Sequence, residues 1–307
     1  MADGREGGAG PAYAGDFPDP FVVRDGTDYY AYATNAGGWN VQVLTSPDLM
    51  TWRHLGDALP RLPPWAAPGF TWAPEVCLVG AVWVLYYTVR EPASGRQCIS
   101  VATATGPRGP FVDRSSAPLV FQLDRGGSID PSPFVDARAR YLLWKSDDTA
   151  VHRASSLWAR RLSPDGLTLE GDPTELLRHD RGWERPLVEA PSMLRREGTY
   201  YLFYSANWWE SDRYAIGYAT GPSPTGPFTK ATRWRPWLRS HGPARGPGGQ
   251  SFFTDGVGNQ WMAYHAWNRG RVGYPAGGAR ALWLARMRFV AGRPVVDRRP
   301  PGAVMGG

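Results

Sequence analysis

Lysine is nearly missing from this chain: of 34 basic residues only Lys145 and Lys230 are lysines, and the rest are arginines scattered along the sequence. The formal charge of +6 comes with no basic run and no RNP, zinc or helix-turn-helix motif, so no nucleic-acid partner is expected. Cysteine is equally scarce. Cys77 and Cys98 are too few for a disulfide scaffold or a cysteine-built metal site. No stretch of 18 apolar residues occurs and the N-terminus has no apolar h-region, so neither a membrane span nor a signal peptide is expected. The sequence as it stands reads as cytoplasmic, or as secreted if a leader was trimmed and a Met added.

What the chain does have is turn formers and aromatics, with 37 Gly, 29 Pro and 15 Trp in 307 residues, which suits many short strands better than long helices. Five segments share one plan: an acidic or amide residue, a short strand, a turn, then an aromatic-rich strand. They open at Asp19, Glu75, Asp130, Glu189 and Gln250, and their second strands carry Tyr29-Tyr30, Tyr86-Tyr87, Tyr141 with Trp144, Tyr200-Tyr201, and Trp261 with Tyr264. The five openings are separated by 56, 55, 59 and 61 residues.

A third strand follows each hairpin, at Val41 to Leu44, Ile99 to Ala102, Trp158 to Arg161, Tyr214 to Ala219 and Leu282 to Ala285. Turn-rich text leads to a fourth, as around Gly106 to Phe111 and Gly221 to Phe228. Five units of four antiparallel strands make an all-β, five-bladed β-propeller; a pair of β-sandwiches would not space its units evenly. The expected organisation is a flexible segment over 1–12, the propeller over 13–292, and a tail over 293–307. Cys77 on a first strand and Cys98 on a third then lie about two strand spacings apart, beyond disulfide reach, so free thiols are expected.

First strands line the channel of a propeller, so the five openings converge at its mouth. Four are carboxylic acids. Gathering carboxylates in one place costs desolvation and repulsion and gives the fold nothing, which points to chemistry. Glycoside hydrolysis needs an acid to protonate the leaving oxygen and a base to activate water, and a third carboxyl beside the acid keeps it protonated.

The motifs around these acids resemble glycoside hydrolase family 43 over roughly residues 13 to 292. Phe17-Pro18-Asp19-Pro20 looks like that family's base motif and Trp72-Ala73-Pro74-Glu75 its second-blade signature. Ser128-Ile129-Asp130-Pro131 looks like its pKa-modulator motif, and Val188-Glu189-Ala190-Pro191 its general-acid motif. The Asn-Asp-Pro-Asn, Arg-Asp-Pro and Glu-Cys blocks of fructan-cleaving propellers are missing. The resemblance implies an inverting hydrolase with Asp19 as base, Glu189 as acid and Asp130 keeping Glu189 protonated, its acid and base carboxyls about 6.5 to 9.5 Å apart.

Candidates for holding the sugar are Trp72, Trp208, Trp39 and Phe70 as stacking faces, and Glu75, Asn207, Gln250, His265 and Arg280 as polar contacts. No cofactor is required by the chemistry. Arabinan-active members of the family often hold a central calcium through a histidine after Gly-Pro-Gly, but this chain reads Gly246-Pro247-Gly248-Gly249-Gln250. A structural calcium is therefore not expected unless His265 supplies the contact.

The β-sandwich that closes the pocket of family β-xylosidases has no counterpart in the short C-terminal stretch. Release of α-L-arabinofuranosyl units from arabinan or arabinoxylan, as plant cell-wall poly- or oligosaccharide, is expected, by a monomer. β-Xylosidase and endo-1,5-α-L-arabinanase are the alternatives within the family. A non-catalytic carbohydrate-binding propeller is the alternative outside it.

Overall fold

The computed structural model describes residues 10–137 and 139–297. Blade one comprises β1 (Phe21–Asp25), β2 (Asp28–Ala33), β3 (Gln42–Ser46) and β4 (Arg53–Asp57). Blade two comprises β5 (Ala67–Val79), β6 (Val82–Glu91) and β7 (Arg96–Ala104), and blade three β8 (Ser128–Asp136), β9 (Ala139–Ser146), β10 (Ser156–Leu162) and β11 (Leu169–Arg178). Blade four comprises β12 (Val188–Arg196), β13 (Thr199–Ala206), β14 (Ala215–Gly221) and β15 (Thr229–Lys230). Blade five comprises β16 (Ala244–Thr254), β17 (Gln260–Asn268), β18 (Arg280–Val290) and β19 (Arg293–Asp297). Within each blade the strands pair antiparallel in chain order, giving a five-bladed β-propeller.

The period-2 alternation of the second strands explains the packing, because successive aromatics face opposite neighbours. Tyr87 packs toward blade one with Tyr32 and Val43, whereas Tyr86 packs toward blade three with Leu142 and Trp144. Tyr204 joins Phe134 of blade three, and Phe203 joins Tyr264 and Trp283 of blade five. Phe17, Phe253 and Trp261 close the circle between blades five and one.

Two boundaries differ from the sequence reading. Arg293–Asp297 is the outer strand of blade five rather than tail, turning back on β18 through Ala291 and Gly292, both at positive φ. At the other end, the Ala12 amide donates to the Leu282 carbonyl at 2.8 Å and Tyr13 bridges Leu282, so residues just before 13 extend the blade-five sheet. They cover the part of the β18 edge that β19, which pairs with Arg286–Val290, leaves free. Residues 1–9 of the 1–12 segment and residues 298–307 lie outside the described residues.

The fourth strands are also shorter and later than the turn-rich text suggested. In blade four the outer strand is Thr229–Lys230, and in blade two it is reduced to bridges of Val112 to Thr103 and Val120 to Ile99. Cys77 and Cys98 are free thiols, Cys98 fully buried. No helix among the described residues is long and apolar enough to cross a membrane.

Candidate active site

Each inner strand carries one extra residue at the same place. Between Trp72 and Glu75, Ile129 and Ser132, Glu189 and Ser192, and Gly248 and Ser251, three steps on the inner strand oppose two on its partner, which is a β-bulge. The bulged residues Ala73, Asp130, Ala190 and Gly249 have φ of 43°, 57°, 49° and 57°, and Asp19 in blade one has 53°. The true blade register is thus 19, 73, 130, 190 and 249. This corrects the equivalence of the five sequence openings: Asp19 and Asp130 are equivalent, Glu189 stands one residue before the bulge, Gln250 one after and Glu75 two after. The bulge turns side chains that simple alternation would send to different sides toward one mouth.

Opposite each bulge the second strand presents a polar residue: Thr34, Thr88, Lys145, Ser205 and His265. Four of these accept the amide N–H of the bulged residue in the next blade. Ala73 donates to Thr34 Oγ1 at 2.9 Å, Asp130 to Thr88 Oγ1 at 3.1 Å, Gly249 to Ser205 Oγ at 2.9 Å and Asp19 to His265 Nδ1 at 3.0 Å. Lys145 breaks the ring, since an ammonium has no acceptor. The Ala190 amide turns instead to Asp130 Oδ2, at 2.8 Å.

Asp19, Asp130 and Glu189 come together in one pocket of about 260 Å³, lined also by Thr34, Trp72, Ile129, Ala190, Trp209, Tyr214 and Arg280. Burial alone would raise the Asp19 pKa, but Arg280, with Nη1 3.7 Å from Oδ1, outweighs it, and Thr34 donates to Oδ2 at 2.6 Å. Asp19 is therefore held ionised, far below the usual carboxylate range.

The opposite wall behaves in the contrary way. Burial first, then the charge of Glu189, pushes the Asp130 carboxyl up to about 8, with Lys145 opposing. The Asp130–Glu189 pair therefore binds a proton near neutral pH, a property of the pair rather than of either residue. Glu189 accepts from the Tyr214 hydroxyl at 2.7 Å on Oε1, and Lys145 Nζ lies 3.3 Å from Oε2.

Of the other sequence candidates, Trp72 and Arg280 line the pocket. Trp208 does not; it is 47% exposed, and its neighbour Trp209 forms the wall, with the Arg280 guanidinium 4.7 Å from its ring centre. Trp39 lies outside, stacked on His54, and Phe70 carries the Arg90 guanidinium over its ring. Asn207 is a turn residue at φ 77° donating to the Trp183 carbonyl, and Gln250 ties Ser205 to the Ala190 carbonyl. Burial pushes the Glu75 carboxyl well above its ordinary range, with Ser132 as its partner, away from the pocket lining.

His265 is a bracing residue of the ring. Its Nδ1 lies 3.0 Å from Asp19 N and 3.3 Å from Asp19 Oδ1; an amide N–H can only donate, so Nδ1 accepts. Burial keeps the ring neutral, which places its one proton on Nε2, a buried atom without a protein partner. A ring so arranged offers a donor, not the lone pair a cation needs. A side chain at Gly249, where the resemblance would place a histidine, would put Cβ 2.6 Å from His265 Nδ1. With His265 Nδ1 taken by the Asp19 amide and no room for a side chain at Gly249, the residues present do not fit the calcium site.

The residues missed from sequence are Lys145, Tyr214, Thr34 and Trp209. Lys145 had a signal, being one of two lysines in an arginine-rich chain. Both are buried on carboxylates, Lys230 on Asp180 and Glu184. The others lie at strand ends or in loops, where the residue type carries no catalytic motif.

The family model of Glycosyl hydrolases family 43 matches residues 9–294. The chain belongs to that family. Among curated relatives, it is 27% identical to a β-D-galactofuranosidase, xynD, of Aspergillus niger over 91% of this chain and 81% of the relative. It is 28% identical to a probable arabinan endo-1,5-α-L-arabinosidase A of Aspergillus clavatus over 91% and 90%. Among solved structures, a thermostable family-43 glycoside hydrolase superposes with a TM-score of 0.84 at 29% identity, covering 95% of this chain and 96% of that one.

Proposed function

We propose that this family-43 hydrolase releases α-L-arabinofuranosyl units from arabinan- or arabinoxylan-type glycans by single displacement. One observation carries the reading: across one small pocket, Asp19 is held ionised while Asp130, buried beside the Glu189 carboxyl, retains a proton. Asp19 takes a proton from water, whose oxygen attacks the anomeric carbon. The bond to the leaving oxygen breaks, and Glu189 gives that oxygen its proton. Asp130 holds the Glu189 strand through the Ala190 amide and keeps the pair from losing its proton. Trp72 and Trp209 flank the sugar, and Arg280 sets the charge of the base.

A second reading is favoured by the Aspergillus niger relative, whose name gives a β-D-galactofuranoside as substrate. That sugar has the same ring-hydroxyl arrangement as α-L-arabinofuranose and differs by one carbon on the C4 substituent. The test compares 4-nitrophenyl α-L-arabinofuranoside, β-D-galactofuranoside and β-D-xylopyranoside, together with arabinan, between wild type and Glu189→Ala. Release by wild type, reduced about 10²- to 10⁴-fold in the variant on arabinan, is expected. No release from any substrate would overturn hydrolysis, and a first-formed anomer of retained configuration by proton NMR would overturn single displacement.

A further inference from the structure

In four blades, the residue opposite the bulge is a neutral acceptor that braces the amide of the next blade. In blade three it is Lys145, which is 2% exposed, braces no such amide, and turns to Glu189 Oε2 at 3.3 Å and Asp147 Oδ1 at 3.2 Å. Burying an ammonium is costly unless it is well paired. A threonine or serine serves the fold in three of the other blades, so folding alone does not account for the cation.

We propose that Lys145 is a positioning residue for acid catalysis: it fixes Glu189 by Oε2 and balances the carboxylate charge that remains once Glu189 has protonated the leaving oxygen. This rests on Glu189 being the general acid, as read above. The other groups facing Glu189 are Tyr214 before β14, Asp130 on β8, Asp19 before β1 and His265 on β17, with Asp147 behind the lysine and Arg280 behind Asp19. Of the two cations, only Lys145 touches the acid.

The sign of its effect follows from charge. Removing Lys145 disfavours the ionised acid pair, so the pair holds its last proton to higher pH. Removing Asp147 leaves the ammonium less compensated and shifts the pair to lower pH.

Lys145→Thr, which installs the side chain found opposite the bulge in blades one and two, is compared with Lys145→Met and Asp147→Asn. The expected result for both lysine variants is a basic limb of kcat/KM raised by about one pH unit. Their kcat falls about tenfold or more on 1,5-linked arabino-oligosaccharides, with KM little changed. On the 4-nitrophenyl arabinoside, whose leaving group needs little protonation, the loss is less than about threefold. Asp147→Asn moves the limb downward, and it judges the proposal if the lysine variants do not fold. Limbs that stay at the wild-type pH, or equal losses on both leaving groups, would overturn the role.

The same shifts are read without turnover by carbon-13 NMR titration of the side-chain carboxyls. A wild type inactive on every glycoside would therefore sink the hydrolase reading, while the titration still decides whether Lys145 governs the pair.

Discussion

Asp19 and Asp130 occupy the same bulge of their blades, with φ of 53° and 57°, yet the structure gives their carboxyls opposite protonation. The backbone is common to both, so the difference lies in the side chains around each. Arg280, His265 and Thr34 surround Asp19, whereas Asp130 is buried beside another carboxyl and receives one amide. A fivefold scaffold thus places equivalent acids, and the residues around them leave one ionised and the other protonated.

The first prediction concerns the pH profile. Arg280 is the largest influence lowering the Asp19 pKa against burial, so removing it raises that pKa. Arg280→Met should move the acidic limb of kcat/KM upward by about one pH unit or more, while the basic limb, set by the Asp130–Glu189 pair, moves much less. An acidic limb at the wild-type position would show that Asp19 is not the base.

Stability should report the strain at Asp130. Its folded pKa, about 8, lies above the ordinary 3.8. Between those values the folded state holds a proton the unfolded state has lost, so stability falls as pH rises from about 4 to about 8. Asp130→Asn removes that dependence and keeps an acceptor for the Ala190 amide. The variant should gain roughly 1–3 kcal/mol at pH 7.5, seen as a Tm rise of a few degrees, and lose that advantage near pH 4. A lower Tm at pH 7.5 would count against a buried shared proton. Its hydrolytic activity should fall, as expected where function strains the fold.

The blade count, the hairpins and three acids at one mouth were legible in the sequence because aromatic second strands recur at an even spacing. The register was not, although Asp19, Ala73, Asp130 and Ala190 each precede a proline and so mark the bulge. Reading for an acidic or amide residue at each opening aligned Glu75 and Gln250 with Asp19, Asp130 and Glu189, and the extra residue turns them away from the pocket. Trp208 and Trp209 are adjacent and chemically identical, so nothing in their order shows which one faces the sugar. Lys145 was overlooked because a single lysine in a strand carries no motif; its meaning appears only against Thr34, Thr88, Ser205 and His265.

The two adjacent tryptophans give a direct test of the pocket. Trp209 lines it and packs on Arg280 and Trp267, whereas Trp208 is largely exposed. Trp209→Ala should raise KM about tenfold, equivalent to about 1.4 kcal/mol of lost binding, while Trp208→Ala stays within about twofold. The reverse order would place the sugar against Trp208.

Gly249 provides the sharpest packing prediction. Its φ is +57°, and a Cβ there would meet His265 Nδ1 at 2.6 Å and Asp19 Oδ1 at 2.9 Å. Gly249→Ala adds left-handed backbone strain of about 1 kcal/mol to overpacking of about 1–3 kcal/mol. Relief requires the imidazole to move, and movement breaks its bond to the Asp19 amide. The variant should therefore lose stability and kcat together. In a His265→Ala background the methyl has room, so the same substitution should cost at least about 1 kcal/mol less, a coupling that a double-mutant cycle in denaturant measures. Additive costs would mean that His265 does not fill the space at Gly249, and the reason given for the missing metal ligand would fail with it.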